Sequence, residues 1–346
     1  MTDRTGNSVW MHLVADENIA EQSLWEIVVL DSIKIRSVIK AGLMTTGLLF
    51  CQTAVAAEKG TGFYLLGTKG PLAAVLPNPG WYLQNDTYYY NAGAGGSEKL
   101  PVAGTVGLGI RAHAIIDMPT LLWSTPYEIG GGRLALAVTA PFGRESIDAD
   151  FLFGPFSGDV KGSNTAIGDP IFTAMLGWNQ GNWHWSVNGM LNVPIGDYDR
   201  NALSNIAFHH WGGDVSVAAT WLNPTLGLDV SGVLGFSFNG KNSVTEYRTG
   251  TEMHIEGAIS QYLSPQFSIG VIGYYYQQIS DDSGAGAHLG GFRGRVAALG
   301  ATASYSFELD KTPVTARVKV FREFAAKNRL DGTGAYLTLS VPLGGR

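Results

Sequence analysis

Residues 226–238 read LGLDVSGVLGFSF, and their period of two sets narrow limits on what the chain can fold into. Leu226, Leu228, Val230, Leu234, Phe236 and Phe238 share one parity, and Gly227, Asp229, Ser231, Gly235 and Ser237 share the other. Side chains alternate across a strand, whereas a helix would scatter both sets around its axis. The pattern recurs. Val106, Leu108, Ile110, Ala112, Ala114 and Ile116 oppose Thr105, Gly107, Gly109, Arg111, His113 and Asp117; Met253, Ile255 and Ile259 oppose Glu252, His254, Glu256 and Ser260. Val314, Ala316, Val318 and Val320 oppose Thr315, Arg317, Lys319 and Glu323. Each polar parity holds groups that are costly to bury dry.

Twelve such segments are expected, at about 80–92, 102–122, 132–142, 169–180, 183–195, 208–222, 225–238, 249–263, 266–280, 293–308, 312–324 and 333–343. Their connections alternate in length. Short ones fall at Gly181-Asn182, Asn223-Pro224, Ser264-Pro265 and Leu309 to Lys311, with a broader one from Trp123 to Gly131 on the same side. Longer polar or glycine-rich loops are expected near 93–101, 143–168, 196–207, 239–248, 281–292 and 325–332. An even strand number with short turns at one end and long loops at the other is the pattern of a bacterial outer-membrane barrel. Trp178, Trp183, Trp185, Trp221, Phe267, Tyr305 and Phe307 lie near the short turns, and Tyr88–Tyr90, Phe236, Phe238 and Tyr274–Tyr276 near the long loops. Two aromatic belts match the two membrane interfaces. The expected fold is an all-β, transmembrane, antiparallel up-and-down β-barrel of about 12 strands, with a secreted β-sandwich or propeller as the competing architecture.

Only 15% of the 346 residues are charged and 46 are Gly. Lys34, Arg36 and Lys40 precede the apolar stretch 41–50, and Ala54-Val-Ala-Ala57 follows, so 34–57 reads as a signal peptide cleaved after Ala56 or Ala57. Residues 1–33 stand upstream of a signal that ordinarily begins a chain, and are expected to be an extra leader from an early start site. Cys51, the sole cysteine, lies in the leader, so no disulfide is expected after export. Residues 1–57 hold four basic and six acidic side chains of the 23 and 29, which leaves 19 against 23, a net charge of −4, and nothing points to nucleic acid. Residues 58–79, with the apolar stretch Leu72 to Leu76, are expected to be periplasmic or to fold into the lumen as a plug ahead of the barrel at 80–346.

Several stretches, in order over nearly all of 61–343, resemble the outer-membrane transporters named for the meta-pathway of phenol degradation. They are Pro77-Asn-Pro-Gly-Trp-Tyr82, Gly168-Asp-Pro170 with Leu176-Gly-Trp178, Val193-Pro-Ile-Gly-Asp-Tyr198, Thr245-Glu-Tyr247 with Gly250, Tyr276-Gln-Gln-Ile-Ser-Asp-Asp-Ser-Gly284, and Glu323 with Lys327-Asn-Arg329. The resemblance implies a barrel similar in spirit to the long-chain fatty acid transporters, associated with catabolism of aromatic compounds, and carries over no catalytic residues. The chain ends Val341-Pro-Leu343-Gly-Gly-Arg346, without the terminal aromatic usual for outer-membrane proteins.

Motifs for other chemistry are weak. GFSFNGKN at 235–242 approximates a phosphate loop, but no helix follows. His209-His210 are strand neighbours that face opposite ways. Asp281-Asp282 suit a solvated loop better than a calcium site. His254 between Glu252 and Glu256 suits a charged lumen cluster, although those groups can also hold a cation or exchange protons. No metal or cofactor is expected, and no enzyme activity. The expected function is passive uptake of small hydrophobic or aromatic solutes across the outer membrane, with membrane lipid and the barrel-assembly machinery as partners. Candidate lumen groups are Arg111, His113, Asp117, Asp229, Glu252, His254, Glu256, Arg317, Lys319 and Glu323; Trp211, Tyr274, Tyr275 and Tyr276 are candidates for loop-side capture of an aromatic ring. An outer-membrane hydrolase, with His209 or His210 beside a serine, and a structural or adhesive barrel are the competing functions.

Overall fold

A computed structural model describes residues 62–343, apart from 101–103, 154–155, 288–290 and 292. The leader, the signal peptide and Cys51 lie outside the described residues. Among the described residues fourteen strands form one antiparallel sheet: β1 (Gly80–Leu100), β2 (Gly104–Ile129), β3 (Gly132–Thr139), β4 (Phe142–Phe153), β5 (Phe156–Ile167), β6 (Ile171–Gln180), β7 (Trp183–Asn192), β8 (Gly212–Asn223), β9 (Leu228–Asn239), β10 (Glu252–Tyr262), β11 (Phe267–Gln278), β12 (Arg295–Leu309), β13 (Thr312–Lys327) and β14 (Asp331–Pro342). Pairing of β1 with both β14 and β2 closes the ring. Twelve strands make that ring, because β4 and β5 prolong β3 and β6 rather than add to the circumference. The lower part of β2 pairs with β3 from Thr120 to Ile129, and its upper part pairs with β4 from Val106 to Asp117.

The interruptions between β3 and β4 and between β5 and β6 have a covalent cause. Pro119, Pro141, Pro170 and Pro194 lie along one line across neighbouring strands, where the chain has no amide hydrogens to give to a ladder. Amides beside them bridge the gaps: Ala140 donates to the Pro119 carbonyl at 3.0 Å, Gly168 to Pro141 at 2.8 Å and Val193 to Pro170 at 3.1 Å. Beyond this line β5 pairs only with β4. The loop 193–211 folds back at its base, where the Asp197 amide donates to the Ile167 carbonyl. A Cβ on Gly196 would lie 2.5 Å from the Gly168 carbonyl carbon, so that approach needs glycine. Asp169 pins the loop by accepting from the amides of Gly196 at 2.8 Å and Phe208 at 2.8 Å, and from the Asn192 side chain at 3.2 Å.

Two expected loops are therefore strand. Residues 93–101 largely continue β1, and 143–168 form the β4–β5 hairpin. The broad connection expected from Trp123 to Gly131 is mostly β2, which runs to Ile129 and turns through Gly130 and Gly131. Both have positive φ, 57° and 73°, as a two-residue hairpin turn requires.

Along β9, Asp229, Ser231, Ser237 and Asn239 are buried within the ring, while Val230, Leu234 and Phe238 are exposed outside it. With hydrocarbon outside, those exposed side chains are where they belong. Trp81, Trp183, Trp185, Tyr305 and Phe307 are exposed on the outer face toward the short turns, and Tyr89, Trp211, Phe238 and Phe324 toward the long loops. Val271, 62% exposed midway along β11, gives a direct test. Val271→Arg is expected to destabilise the barrel by about 2–4 kcal/mol, the cost of a cation near the middle of the lipid face. Urea titration in phospholipid vesicles, followed by gel mobility, reads the change; no loss would mean that this face does not meet hydrocarbon.

Candidate functional site

The candidate functional space is the interior of the ring. Its walls carry the polar parity of β8, β9, β10 and β13, and residues 62–79 run through it before β1 begins. At the short-turn end the Pro77 carbonyl accepts from Ser124 Oγ at 2.8 Å and Arg133 Nη1 at 3.0 Å. Farther in, the Ala74 amide donates to Thr220 Oγ1 at 3.1 Å and the Leu72 amide to Asp229 Oδ2 at 2.6 Å. Lys319 Nζ donates to the carbonyls of Gly67 and Thr68, the latter at 2.8 Å, and Arg317 Nη1 to that of Pro71 at 3.3 Å. Tyr336 donates its hydroxyl to the Leu66 carbonyl. Glu256 accepts from the Tyr64 hydroxyl at 2.7 Å and the Lys69 amide at 3.0 Å. Near the long loops the Phe63 ring lies against Gly212, where any side chain would collide with it.

An irregular backbone needs partners for its amides and carbonyls when water is scarce. Here charged wall residues supply them, which is why Asp229, Glu256 and Lys319 are buried yet satisfied. Apolar contacts add to this, since Tyr64 and Leu66 share a cluster with Tyr274, Tyr276, Phe321 and Tyr336. The Tyr64 ring also stacks on His254 with centroids 3.6 Å apart. His254 Nε2 lies 2.9 Å from Asp214 Oδ2, which accepts from Ser237 Oγ as well. Burial raises the pKa of the Tyr64 hydroxyl, with Glu256 adding to the effect. Burial lowers that of the Lys69 ammonium, against the pull of Glu256 and Asp214.

Of the ten wall candidates, Asp229, Glu252, His254, Glu256, Arg317, Lys319 and Glu323 face inward. Arg111, His113 and Asp117 face outward, and so do Tyr275 and Trp211. Arg111 pairs with Asp150 at 2.9 Å on the outer surface, and Asp117 accepts from Asn85 and Thr87 there. Alternation separates two faces without saying which is inner, and in β2 the apolar one is. Ile110, Ala112, Ala114 and Met118 are buried inside. Tyr274 and Tyr276 also face inward, with their hydroxyls on Glu323 and Glu252. Tyr88 and Tyr90 join them from β1, and Tyr90 donates to Glu323 at 2.7 Å.

Inner groups missing from the sequence candidates include Asp214, Asp86 and Arg329. Asp214 shares the polar parity of β8 with Ser216 and Thr220, a signal that would have found it. Asp86, which accepts from Gln84 and Thr338, sits on the inner parity of β1. Arg329 lies in a loop, where no periodicity marks its direction; its guanidinium stands 4.3 Å over the Tyr276 ring.

The fold is similar to that of a solved outer-membrane barrel. An outer membrane channel from Pseudomonas putida F1 superposes with a TM-score of 0.62 at 15% identity, covering 81% of this chain and all of that one. A FadL homologue of Pseudomonas aeruginosa gives 0.39 at 11% identity over 79% of this chain and 92% of that one. No curated protein matches the sequence. The fold is that of a bacterial outer-membrane β-barrel. A family profile matches residues 92–339, well over half of the chain, and by that match the protein belongs to the family described as "Putative MetA-pathway of phenol degradation".

Proposed function

We propose that this protein is an outer-membrane channel for passive uptake of small hydrophobic or aromatic compounds, with residues 62–79 obstructing the lumen. Residues 34–57 act as its cleaved export signal, a reading that N-terminal sequencing of the mature chain tests. The observation that carries the proposal is the reversed polarity of the wall toward the long loops. There β2, β4 and β5 turn Arg111, His113, Arg144, Asp148, Asp150 and Lys161 outward, and Ile110, Ala112, Ala114, Ile116, Ile147 and Ala149 inward, with Glu145 and Asn164 as polar groups on the same inner parity. A charged outer face suits water above the bilayer rather than hydrocarbon. The apolar inner face gives a greasy solute a place to leave water before it meets the polar groups deeper in the lumen.

Reconstitution in liposomes with lipopolysaccharide in the outer leaflet tests the reading, with flux measured for phenol, benzoate, toluene, a fatty acid and a sugar. Phenol and toluene are expected to cross faster than through protein-free vesicles, and the sugar is not. Equal acceleration of the sugar, or of none, would overturn it.

A further inference from the structure

Arg329 stands between β13 and β14, and its guanidinium has turned into the barrel onto the inward-facing Tyr276. Its Nε and Nη1 are buried, and neither has a hydrogen-bond partner among the described residues. Leaving such donors unmade is costly, so a native arrangement ordinarily gives them an acceptor. The nearby carboxylates are already engaged. Glu323 accepts from the hydroxyls of Tyr90 and Tyr274, each at 2.7 Å, and from the Gly332 amide at 2.9 Å. Glu252 accepts from Tyr276 and from the Asn239 side chain. Burial works against the charge of Arg329, while the carboxylates of Glu323 and Glu252 favour it and the guanidinium lies over the Tyr276 ring, so the group stays cationic.

We propose that Arg329 is a specificity-determining residue that offers its free N–H groups to the oxygen of an uncharged aromatic solute. The inference rests on the channel reading and narrows its substrate class. Charge decides between classes of acceptor. Glu323 and Glu252 already set two negative charges around this one cation, so a carboxylate would arrive as a third. A neutral phenolic or carbonyl oxygen takes the hydrogen bonds without that repulsion. A hydrocarbon of the same shape leaves the donors as they were. The rings around the site match the rest of such a solute: Tyr88 lies 5.8 Å from Tyr90 and 4.7 Å from Tyr336 between centroids, and Tyr274 lies 5.1 Å from Phe321. Aromatic faces and edges attract a further ring that reaches them.

The test compares the full chain in detergent micelles with its Arg329→Met and Arg329→Gln variants, by saturation-transfer NMR titration with phenol, toluene and benzoate at neutral pH. Partition into micelles is common to all three proteins, so differences between them read the site. Phenol is expected to bind the native protein about tenfold more tightly than Arg329→Met, toluene to bind both alike, and benzoate to bind more weakly than phenol. Arg329→Gln keeps two N–H donors without the charge, and is expected to recover part of the phenol affinity. It also stands in if Arg329→Met fails to fold. Equal losses for phenol and toluene would reduce Arg329 to a packing residue, and tightest binding of benzoate would make the site an anion receptor; either overturns the inference. Flux of phenol measured in parallel separates the two readings. Native binding preferences without flux would sink the channel while leaving the site, and flux without a phenol-specific loss would do the reverse.

Discussion

Deletion of residues 60–76 is expected to raise single-channel conductance in planar bilayers by about tenfold. A ring of twelve strands lies between the eight that side chains fill and the sixteen that leave an open pore, so its conductance depends on what else occupies the lumen. Residues 62–79 cross it from side to side. Leu66 is held by Tyr336 on β14 and Ala74 by Thr220 on β8, and these strands stand six places apart in a ring of twelve, on opposite walls. Between those ends the segment reaches β9 through Asp229, β10 through Glu256 and β13 through Arg317 and Lys319. Removing it leaves the wall intact, because every strand-to-strand ladder is formed without it. The freed Asp229, Glu256, Arg317 and Lys319 carry two charges of each sign and water can solvate them, so the widened pore is expected to show little preference between small anions and cations. A conductance unchanged by the deletion would mean that the segment does not limit passage.

The barrel was legible because its chemistry is written at period two. Asp229 and Ser231 against Val230, or Glu252 and Glu256 against Ile255, mark a sheet with one wet and one greasy face, and the short connections 181–182 and 310–311 fix where strands reverse. β4 and β5 escaped notice for the opposite reason. FGRESIDADFLF and FSGDVKGSNTAI carry charge and glycine in place of a continuous greasy face, since this hairpin stands above the hydrocarbon and needs none. The orientation of β2 failed through the same transition. Its lower outward residues, Leu121 and Trp123, meet lipid, whereas its upper ones, Arg111 and His113, meet water, so one parity changes character along a single strand. The contacts of residues 62–79 with the wall could not be read from the sequence. Tyr64 meets His254 and Glu256 some 190 residues away in sequence, a proximity that only closure of the ring creates. Arg329 is the extreme case, because a loop residue has no neighbours whose pattern tells which way it points.

Glu323→Leu is expected to lower the unfolding free energy by about 3–5 kcal/mol, and Glu323→Gln by about 1–2 kcal/mol. Glu323 is 3% exposed and takes hydrogen bonds from three places: Tyr90 on β1, Tyr274 on β11 and the Gly332 amide at the start of β14. Leucine has nearly the same volume but leaves two phenolic hydroxyls and one amide buried without an acceptor. It also takes away one of the two carboxylates that support the Arg329 charge, so the loss spreads beyond its own bonds. Glutamine retains an acceptor oxygen, which is why its expected cost is smaller. The two variants separate shape from hydrogen bonding, with urea unfolding in micelles and the shift in gel mobility as the readout. If leucine proved as stable as glutamate, the tyrosine hydroxyls would have to find water or other acceptors at no cost, and the polar cluster would not be what binds β1, β11 and β14 across the interior. A large loss for leucine with a small one for glutamine would place part of the barrel's closure inside the lumen, in hydrogen bonds between strands that are not neighbours in the sheet.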